Sequence, residues 1–195
     1  MKRPGAIGVT GTPGTGKKSV ALTLASLLQR ELVDINSVAR ERYAPDDEGE
    51  LQVDVKELGS ELKRRSSGAV VSGHLLAEVL KPADVEFVAV LRCDPRVLKR
   101  RLARRGYPHE KVVENVEAEL IGVVLDAAVR RFGPSKVHEY DSTRAKPASL
   151  AAEIARDYRA GLPQDSPWID WTLDYDSSAR LRSLLSRPRT EPAST

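Results

Sequence analysis

The sequence is poor in cysteine: Cys93 is the single one among 195 residues, so an internal disulfide is excluded. That usage is typical of a protein from a reducing cytosol. Long apolar runs are missing as well, since none approaches the roughly 20 residues that a membrane-spanning helix needs. The apolar run near the N-terminus is too short for a signal peptide, because glycines and a proline interrupt it. We therefore expect a soluble, cytoplasmic protein without membrane contact.

Charge of one sign is not in large excess either. The chain has 31 basic and 28 acidic residues and a net charge of +3. A protein this mildly basic is not a polycation, and we expect no direct sequence-specific binding of nucleic acid. With 41% hydrophobic residues the chain can build one core, so we predict a single domain over residues 1–161. We interpret residues 162–195 as a C-terminal extension whose low-complexity end is disordered.

Short apolar runs alternate along the chain with segments of helical periodicity. The pattern predicts strands over residues 6–10, 32–35, 68–74, 85–93 and 136–141. It predicts helices over residues 17–32, 35–43, 54–65, 95–106, 110–131 and 147–161, and a polar loop over 44–52. Alternating strands and helices favour an α/β fold with a mainly parallel sheet that helices cover on both faces.

The strongest functional motif is the stretch GTPGTGKKS at residues 11–19. It follows a predicted strand and opens a predicted helix, which is the context of a phosphate-binding loop. In such a loop, backbone N–H groups face a phosphate, the helix N-terminus adds positive potential and the lysine reaches the terminal phosphates. The alternative is a glycine-rich turn without a ligand. We predict that ATP binds through Gly11, Thr12, Pro13, Gly14, Thr15, Gly16 and Lys17.

One residue departs from the pattern of this motif, because Lys18 stands where a Ser or Thr hydroxyl ordinarily binds magnesium. An ammonium beside a dication is repelled by several kcal/mol at moderate dielectric. Two alternatives stay open. Either Lys18 points away, and Ser19 or phosphate and water ligands hold Mg²⁺, or the ammonium takes over part of the charge neutralisation. We expect nucleotide contacts from both residues, magnesium with atypical coordination, and reduced turnover.

Further motifs follow the loop in a specific order: DINSVARE at 34–41, VDVKELGSEL at 53–62, VVSGHL at 70–75, VLRCDPRVLKRRLARRGY at 90–107, ENVEAE at 114–119 and HEYDST at 138–143. With GTPGTGK, this order resembles the nucleoside monophosphate kinases, and most closely the adenylate kinase isoenzyme 6 family, also called CINAP-like, in its archaeal form. The resemblance covers most of residues 5–158. It implies a P-loop NTPase fold: a three-layer sandwich with a short lid and a monophosphate-binding region.

The resemblance also implies roles for individual arginines. Arg40, within SVARE, is the expected contact to the acceptor phosphate, although an arginine on a helix can also be merely solvated. Arg101 and Arg105, in the lid segment RLARRGY, would bind the nucleotide and neutralise the transferring phosphoryl group. The turn over residues 142–147 would pass the adenine ring, although any strand-to-helix turn looks the same in sequence.

Relatives carry Asp-x-His where this chain has Ser72, Gly73 and His74. Their aspartate belongs to the Walker B strand and holds magnesium through water, whereas their histidine is linked to ATPase and conformational behaviour. We therefore count His74 with Lys17 and Arg105 as catalytic. Taken alone, His74 could equally be a hydrogen-bonded structural residue. Together, Lys18 and Ser72 replace both of the usual metal contacts.

The function implied by the resemblance is phosphoryl transfer from ATP to AMP or a similar monophosphate, with an ATPase activity as a further option. The alternative is a nucleotide-gated assembly factor that binds a platform protein of the small ribosomal subunit. A third interpretation is a kinase of a small metabolite with the same fold. Failure of AMP to bind would favour that third interpretation.

Both tryptophans of the chain lie in the C-terminal extension, at positions 168 and 171. Three residues apart, Trp168 and Trp171 would share one face of a helix, and such large side chains are rarely left exposed. We expect them to hold the extension against the core of the domain. The functional alternative is a docking surface for a partner protein.

We predict that Lys17→Ala weakens ATP binding by on the order of 2 kcal/mol, because the phosphates would then face only backbone dipoles. Calorimetric titration of the purified variant with ATP measures the change, with the wild-type protein as the reference. An unchanged affinity for ATP would refute the assignment of the phosphate loop.

Overall fold

The computed structural model describes residues 4–44, 52–161, 168–175 and 177–186. Its centre is a five-stranded sheet in the order β2-β3-β1-β4-β5, in which all neighbouring strands are parallel. The strands are β1 (Ala6–Gly11), β2 (Leu32–Asp34), β3 (Val70–Ser72), β4 (Val85–Arg92) and β5 (Val137–Asp141). The predicted α/β fold with a parallel sheet is confirmed. Most of the predicted polar loop and the end of the C-terminal extension lie outside the described residues.

Helices connect the strands and follow the last one. Within the described ranges the α-helices are α1 (Lys17–Leu28), α2 (Ile35–Arg42), α3 (Val55–Arg65), α4 (Leu76–Val79), α5 (Pro95–Arg104), α6 (His109–Leu120), α7 (Val123–Phe132), α8 (Pro147–Ala160) and α9 (Ser178–Leu185). Asp34, Asp54 and Asp94 cap the N-termini of α2, α3 and α5 by accepting backbone N–H bonds. Among these helices, none has the length and apolar character that crossing a membrane requires.

Helices pack on both faces of the sheet and so produce three layers. On one face, α1 and α8 pack through Leu24 and Ile154 against Ile7 of β1. On the other face, α2, α3, α4 and α7 cover β3 and β4, where Val71 and Val88 are fully buried. Burial of each such side chain contributes about 1.5–3 kcal/mol, so the two apolar interfaces fix the sheet between its helices.

The parallel register brings three chain segments to one edge of the sheet. β1 ends at Gly11, β2 ends at Asp34 and β3 ends at Ser72. Asp34 lies directly opposite Ser72 in the pairing of β2 with β3, and Val9 of β1 lies opposite Ser72 on the other side. The loop after β1 and the first turn of α2 therefore face the same space. Ligands of open parallel sheets bind at this edge.

The single helix predicted over residues 110–131 is wrong, because the chain forms two helices there, α6 and α7. Gly122 between them has φ +70°, a left-handed conformation that glycine adopts without steric cost. The carbonyl of Glu119 accepts hydrogen bonds from the Gly122 N–H at 3.2 Å and from Arg92 Nη2 at 2.9 Å. Both bonds lie outside the α-helical pattern, and they end α6 at this point.

A third apolar cluster joins α5 and α6 to the C-terminal segment, by which we mean residues 168–175 and 177–186. Tyr175 and Leu184 of this segment are buried and pack in the same cluster as Leu98 of α5 and Val116 of α6. The ammonium of Lys99 on α5 donates to the carbonyl of Leu184 at 2.6 Å. A cation is favourable at the C-terminal end of a helix, here α9. The C-terminal segment is thus attached to α5 and α6 by apolar packing and by hydrogen bonds.

The two tryptophans would share one face if they lay on a single helix, but they do not lie on one. Trp168 precedes the short 3₁₀ helix Trp171–Tyr175 and is 41% exposed, whereas Trp171 packs against the third apolar cluster. Between them, the N–H of Ile169 donates to Glu139 at 2.6 Å and its carbonyl accepts from Arg92 at 3.2 Å. Glu139 and Arg92 thus bind the N–H and the carbonyl of Ile169, which an α-helix would need for its own hydrogen bonds.

We predict that truncation after Gly161 lowers the melting temperature by on the order of 10 °C, because it uncovers the third apolar cluster and removes the Ile169 N–H from Glu139. Differential scanning calorimetry measures the shift. A control truncation after Ser186 keeps every contact described above and should melt like the full chain. Melting of the shorter protein at the wild-type temperature would show that the C-terminal segment does not stabilise the core.

Candidate functional site

From the end of β1 to the start of α1, the backbone has a positive φ at three glycines: Gly11 (+142°), Gly14 (+96°) and Gly16 (+95°). A Cβ atom at Gly11 would lie 2.4 Å from the carbonyl oxygen of Leu91 on the neighbouring strand β4. Gly11 is therefore required by the close approach of two strands, and Gly16 by the left-handed turn into α1.

Thr12 and Lys17 hold the inside of this loop together. The carbonyl of Thr12 accepts hydrogen bonds from Thr15 Oγ1 at 2.9 Å and from Lys17 Nζ at 3.0 Å. Lys17 also donates to the carbonyl of Gly11 at 2.7 Å. The ammonium of Lys17 therefore lies against the backbone of the loop, at the N-terminus of α1.

The surroundings of Lys17 favour an incoming anion. Burial lowers the pKa of Lys17 from 10.5 to about 8; the charge of Glu119 opposes this shift, that of Arg105 adds to it, and that of Asp34 opposes it. The ammonium thus loses part of its hydration without gaining a full counter-charge. A phosphate beside it would stabilise the charged form and raise the pKa again.

A cavity of about 350 Å³ opens in front of the loop at the carboxyl edge of the sheet. Among the described residues that line it are the four cationic side chains of Lys17, Lys18, Arg40 and Arg105, together with the carboxylate of Asp34. The cavity also includes the N-terminus of α1, where the helix dipole adds positive potential. An excess of positive charge at a helix N-terminus suits a polyphosphate.

The structure brings most of the residues predicted from the sequence to this cavity. Those that line it are Pro13, Gly14, Gly16, Lys17, Lys18, Ser19, Arg40, His74 and Arg105. Gly11, Thr12 and Thr15 are buried and form the part of the loop that packs against the protein interior. The phosphate loop, helix α2 and the end of α5 thus meet at one place.

Arg101 is placed differently from Arg105. Its guanidinium donates to the carbonyls of Ser142 and Thr143, at 3.0 Å each, and Nη1 lies 3.4 Å from the sulfur of Cys93. Arg101 therefore holds the turn between β5 and α8. This is the turn that the resemblance places beside an adenine ring.

Lys18 extends into solvent, with 80% of its side chain exposed, and its ammonium lies 3.6 Å from Asp34 Oδ2. The other oxygen of Asp34 accepts from the backbone N–H groups of Asn36 and Ser37 at the start of α2. Such an exposed ion pair is weak, so its importance here is the direction in which it draws Lys18. The pair holds the Lys18 ammonium beside Asp34 at the cavity that both residues line.

Sequence reasoning missed Asp34 and Tyr107, both of which line the cavity. Asp34 has the ordinary signature of a helix N-cap, which explains the residue without any ligand. Its position in the lining of the cavity depends on the strand register, which sets Asp34 opposite Ser72. A single sequence does not display that register. Tyr107 directly follows Gly106 and the arginines at the end of α5, which was the available signal for it.

Behind the loop lies a group of buried charges that sequence reasoning also missed: Arg92, Glu119 and Glu139, here called the buried charge cluster. Arg92 Nε donates to Glu119 at 2.8 Å, and the same guanidinium pairs with Glu139. Thr12 Oγ1 of the loop donates to Glu119 Oε2 at 2.5 Å. Burial raises the pKa of Glu139, against the opposing effects of the Ile169 N–H and of Arg92.

Comparisons with known proteins agree with this geometry. Residues 7–122 match the family model described as an AAA domain. The chain is 38% identical over 175 residues to a protein of Pyrococcus abyssi named "Putative adenylate kinase", which covers 87% of this chain and 93% of that protein. A protein of the same name from Methanocaldococcus jannaschii is 30% identical over 176 residues, with 87% and 94% covered.

Among solved structures, shikimate kinase from Acinetobacter baumannii in complex with shikimate has a TM-score of 0.59 and 19% identity. The match covers 80% of this chain and 94% of that chain. A likeness at this level of identity shows a shared fold, that of a P-loop kinase. The identity and coverage of the archaeal relatives, together with the matching family model, show that the chain belongs to the same P-loop family as the archaeal proteins named "Putative adenylate kinase".

Proposed function

We propose that the protein is an adenylate kinase, which transfers the terminal phosphoryl group of ATP to AMP and gives two ADP. The observation that carries the proposal is the convergence of Lys17, Arg40 and Arg105 on one cavity at the N-terminus of α1. These cations come from three separate parts of the chain. Their arrangement fits a donor and an acceptor phosphate that must approach each other. The names of the archaeal relatives support AMP as the acceptor.

In this proposal the protein acts by position and charge, without a covalent intermediate. Lys17 exchanges its bonds to the carbonyls of Gly11 and Thr12 for the terminal phosphates of ATP. Arg40 on α2 holds the phosphate of AMP, and Arg105 at the end of α5 neutralises the group in transfer. His74, at the end of β3, lines the same cavity and is the remaining catalytic candidate.

We place the adenine of ATP toward the turn between β5 and α8. Arg101 fixes two successive carbonyls of that turn, those of Ser142 and Thr143. Ser142 is fixed further, since its backbone N–H donates to the carbonyl of Arg92 at 2.8 Å and its hydroxyl donates there at 2.7 Å. A turn held this firmly can position a base without reorganisation.

Magnesium, which the family implies beside ATP, would neutralise part of the phosphate charge when bound. The donors at the cavity fit it, because Ser19, Ser72 and Asp34 all line the space and offer oxygen, the ligand that Mg²⁺ prefers. We propose Ser19 as the protein contact that replaces the hydroxyl missing at Lys18. Asp34 supplies the carboxylate missing at Ser72, and the exposed Lys18 that pairs with Asp34 would leave it when the ion binds.

Two activities implied by the resemblance to the adenylate kinase isoenzyme 6 family stay predictions. One is an ATPase activity in the absence of AMP. The other is nucleotide-gated binding to a platform protein of the small ribosomal subunit. Formation of ADP with and without AMP separates the first from adenylate kinase activity. A pull-down with the small-subunit protein tests the second.

We predict that Arg40→Ala raises the KM for AMP by roughly 10- to 100-fold and changes the KM for ATP much less, because the charged bonds it removes belong to the acceptor phosphate. A coupled assay of ADP formation measures both constants. Arg42→Ala is the matched control on the same helix, since Arg42 pairs with Glu57 on α3. If wild-type protein binds ATP but neither binds AMP nor forms ADP from it, AMP is not the acceptor, and small hydroxylated metabolites become the candidates.

We predict that Lys18→Thr and Ser72→Asp together steepen the magnesium dependence and raise the rate more than the two single changes predict. Ser72→Asp alone would place a second carboxylate opposite Asp34, an arrangement of like charges that a bound dication relieves. The measurement is a double-mutant cycle across a magnesium titration, with ATP binding followed separately. Ser72→Asn in the Lys18→Thr background is the uncharged control.

If the wild-type protein already shows strong magnesium-dependent adenylate kinase activity that the double variant does not exceed, its metal site is not compromised. Ser19 and water ligands would then be sufficient for the ion.

A further inference from the structure

The carboxylate of Glu119 connects parts of the molecule that are far apart in sequence. One oxygen accepts from Thr12 Oγ1 in the phosphate loop, at 2.5 Å. The other accepts from Arg92 Nε at 2.8 Å, from the backbone N–H of Cys93 at 2.9 Å and from the indole N–H of Trp171 at 3.3 Å. Glu119 is 1% exposed, so these groups replace the water that a carboxylate ordinarily binds.

The C-terminal segment contacts this cluster at a second residue. The N–H of Ile169 donates to Glu139 at 2.6 Å, and the carbonyl of Ile169 accepts from Arg92 at 3.2 Å. Arg92 itself bonds both Glu139 and Glu119. Residues 168–171 therefore complete the hydrogen bonding of all three members of the buried charge cluster.

Buried charges tolerate the loss of a partner poorly, because the group left behind is neither solvated nor paired. A shift of Thr12 takes a donor from one oxygen of Glu119, and the carboxylate must then adjust toward its remaining donors. A shift of Trp171 does the same at the other oxygen. The position of Thr12 at one oxygen of Glu119 therefore affects the free energy of the hydrogen bond that Trp171 makes at the other oxygen.

We propose that Glu119 is a positioning residue that couples the C-terminal segment, through Trp171, to the phosphate loop, through Thr12. When the indole of Trp171 is hydrogen-bonded to Glu119, the loop geometry that binds phosphate is favoured. Because such coupling is reciprocal, phosphate binding at the loop favours in turn the hydrogen bond of Trp171 to Glu119. The inference rests on the proposed binding of ATP at the loop. It assigns to the segment a role that neither the loop motif nor the cavity requires.

The indole of Trp171 is its own reporter. Trp168→Phe leaves Trp171 as the single tryptophan of the chain. We expect titration of this variant with ATP to shift the emission of Trp171, with a midpoint equal to the dissociation constant from calorimetry. Trp171→Phe, which leaves only the more exposed Trp168, is the matched control and should respond less.

Thr12→Val in the Trp168→Phe background removes the hydroxyl and keeps the side-chain shape. We expect it to shift the emission of Trp171 before any nucleotide is added, to abolish most of the ATP response, and to weaken ATP binding about tenfold. Thr12→Ser, which restores a donor, should recover the response. From the other end, Trp171→Phe should weaken ATP binding about fivefold.

The possible failures are distinguishable. Absence of ATP binding to wild-type protein by calorimetry would overturn the proposed function. Normal ATP binding with an emission of Trp171 that neither ATP nor Thr12→Val changes would overturn the coupling alone. Weaker binding in Thr12→Val that Thr12→Ser does not rescue would likewise overturn it, because a general disturbance of the loop would then explain the loss.

Discussion

Four donors converge on the buried carboxylate of Glu119, and the phosphate loop, the end of β4 and the C-terminal segment all take their positions from it. A carboxylate without water is stable only when its donors are supplied together. The break between α6 and α7 leaves the backbone carbonyl of Glu119 to accept from Arg92, and the non-helical path of Ile169 supplies an N–H to Glu139. The cavity in front of the loop therefore has a rigid charged support behind it.

Features that depend on local spacing could be predicted from the sequence. The phosphate loop follows from glycines whose conformation the motif encodes, and the strands and most helices follow from periodicity. Arg40 and Arg105 were expected through resemblance alone, and the structure places both at the cavity. The roles of Asp34 and Glu119 could not be predicted, because each depends on neighbours fixed by strand register or by packing of distant segments. The helix break at Gly122 has the same origin, since Arg92 competes for the carbonyl that precedes it.

The charges around the site form two groups that differ in how much free energy their rearrangement costs. Lys18 and Asp34 form an exposed pair that solvent screens, so it can rearrange at little cost when a ligand arrives. Arg92, Glu119 and Glu139 are buried, and any rearrangement among them leaves a charge without compensation. The face toward the cavity therefore rearranges at little cost, whereas a rearrangement of the face toward the core is costly and affects all of its partners. This division suits a site that must bind and release phosphates on a fixed frame.

Thr12 and Glu119 are 107 residues apart, and Trp171 follows Glu119 by another 52. A polypeptide is synthesised from its N-terminus, so the glycine-rich loop leaves the ribosome long before the carboxylate that anchors it. The indole that completes the donors of that carboxylate emerges later still. A nascent chain that is paused before Glu119 thus carries the entire phosphate-loop motif and lacks its anchor. The anchored geometry of the loop is in this sense completed late in the biosynthesis of the protein, although the loop itself is among the first parts made.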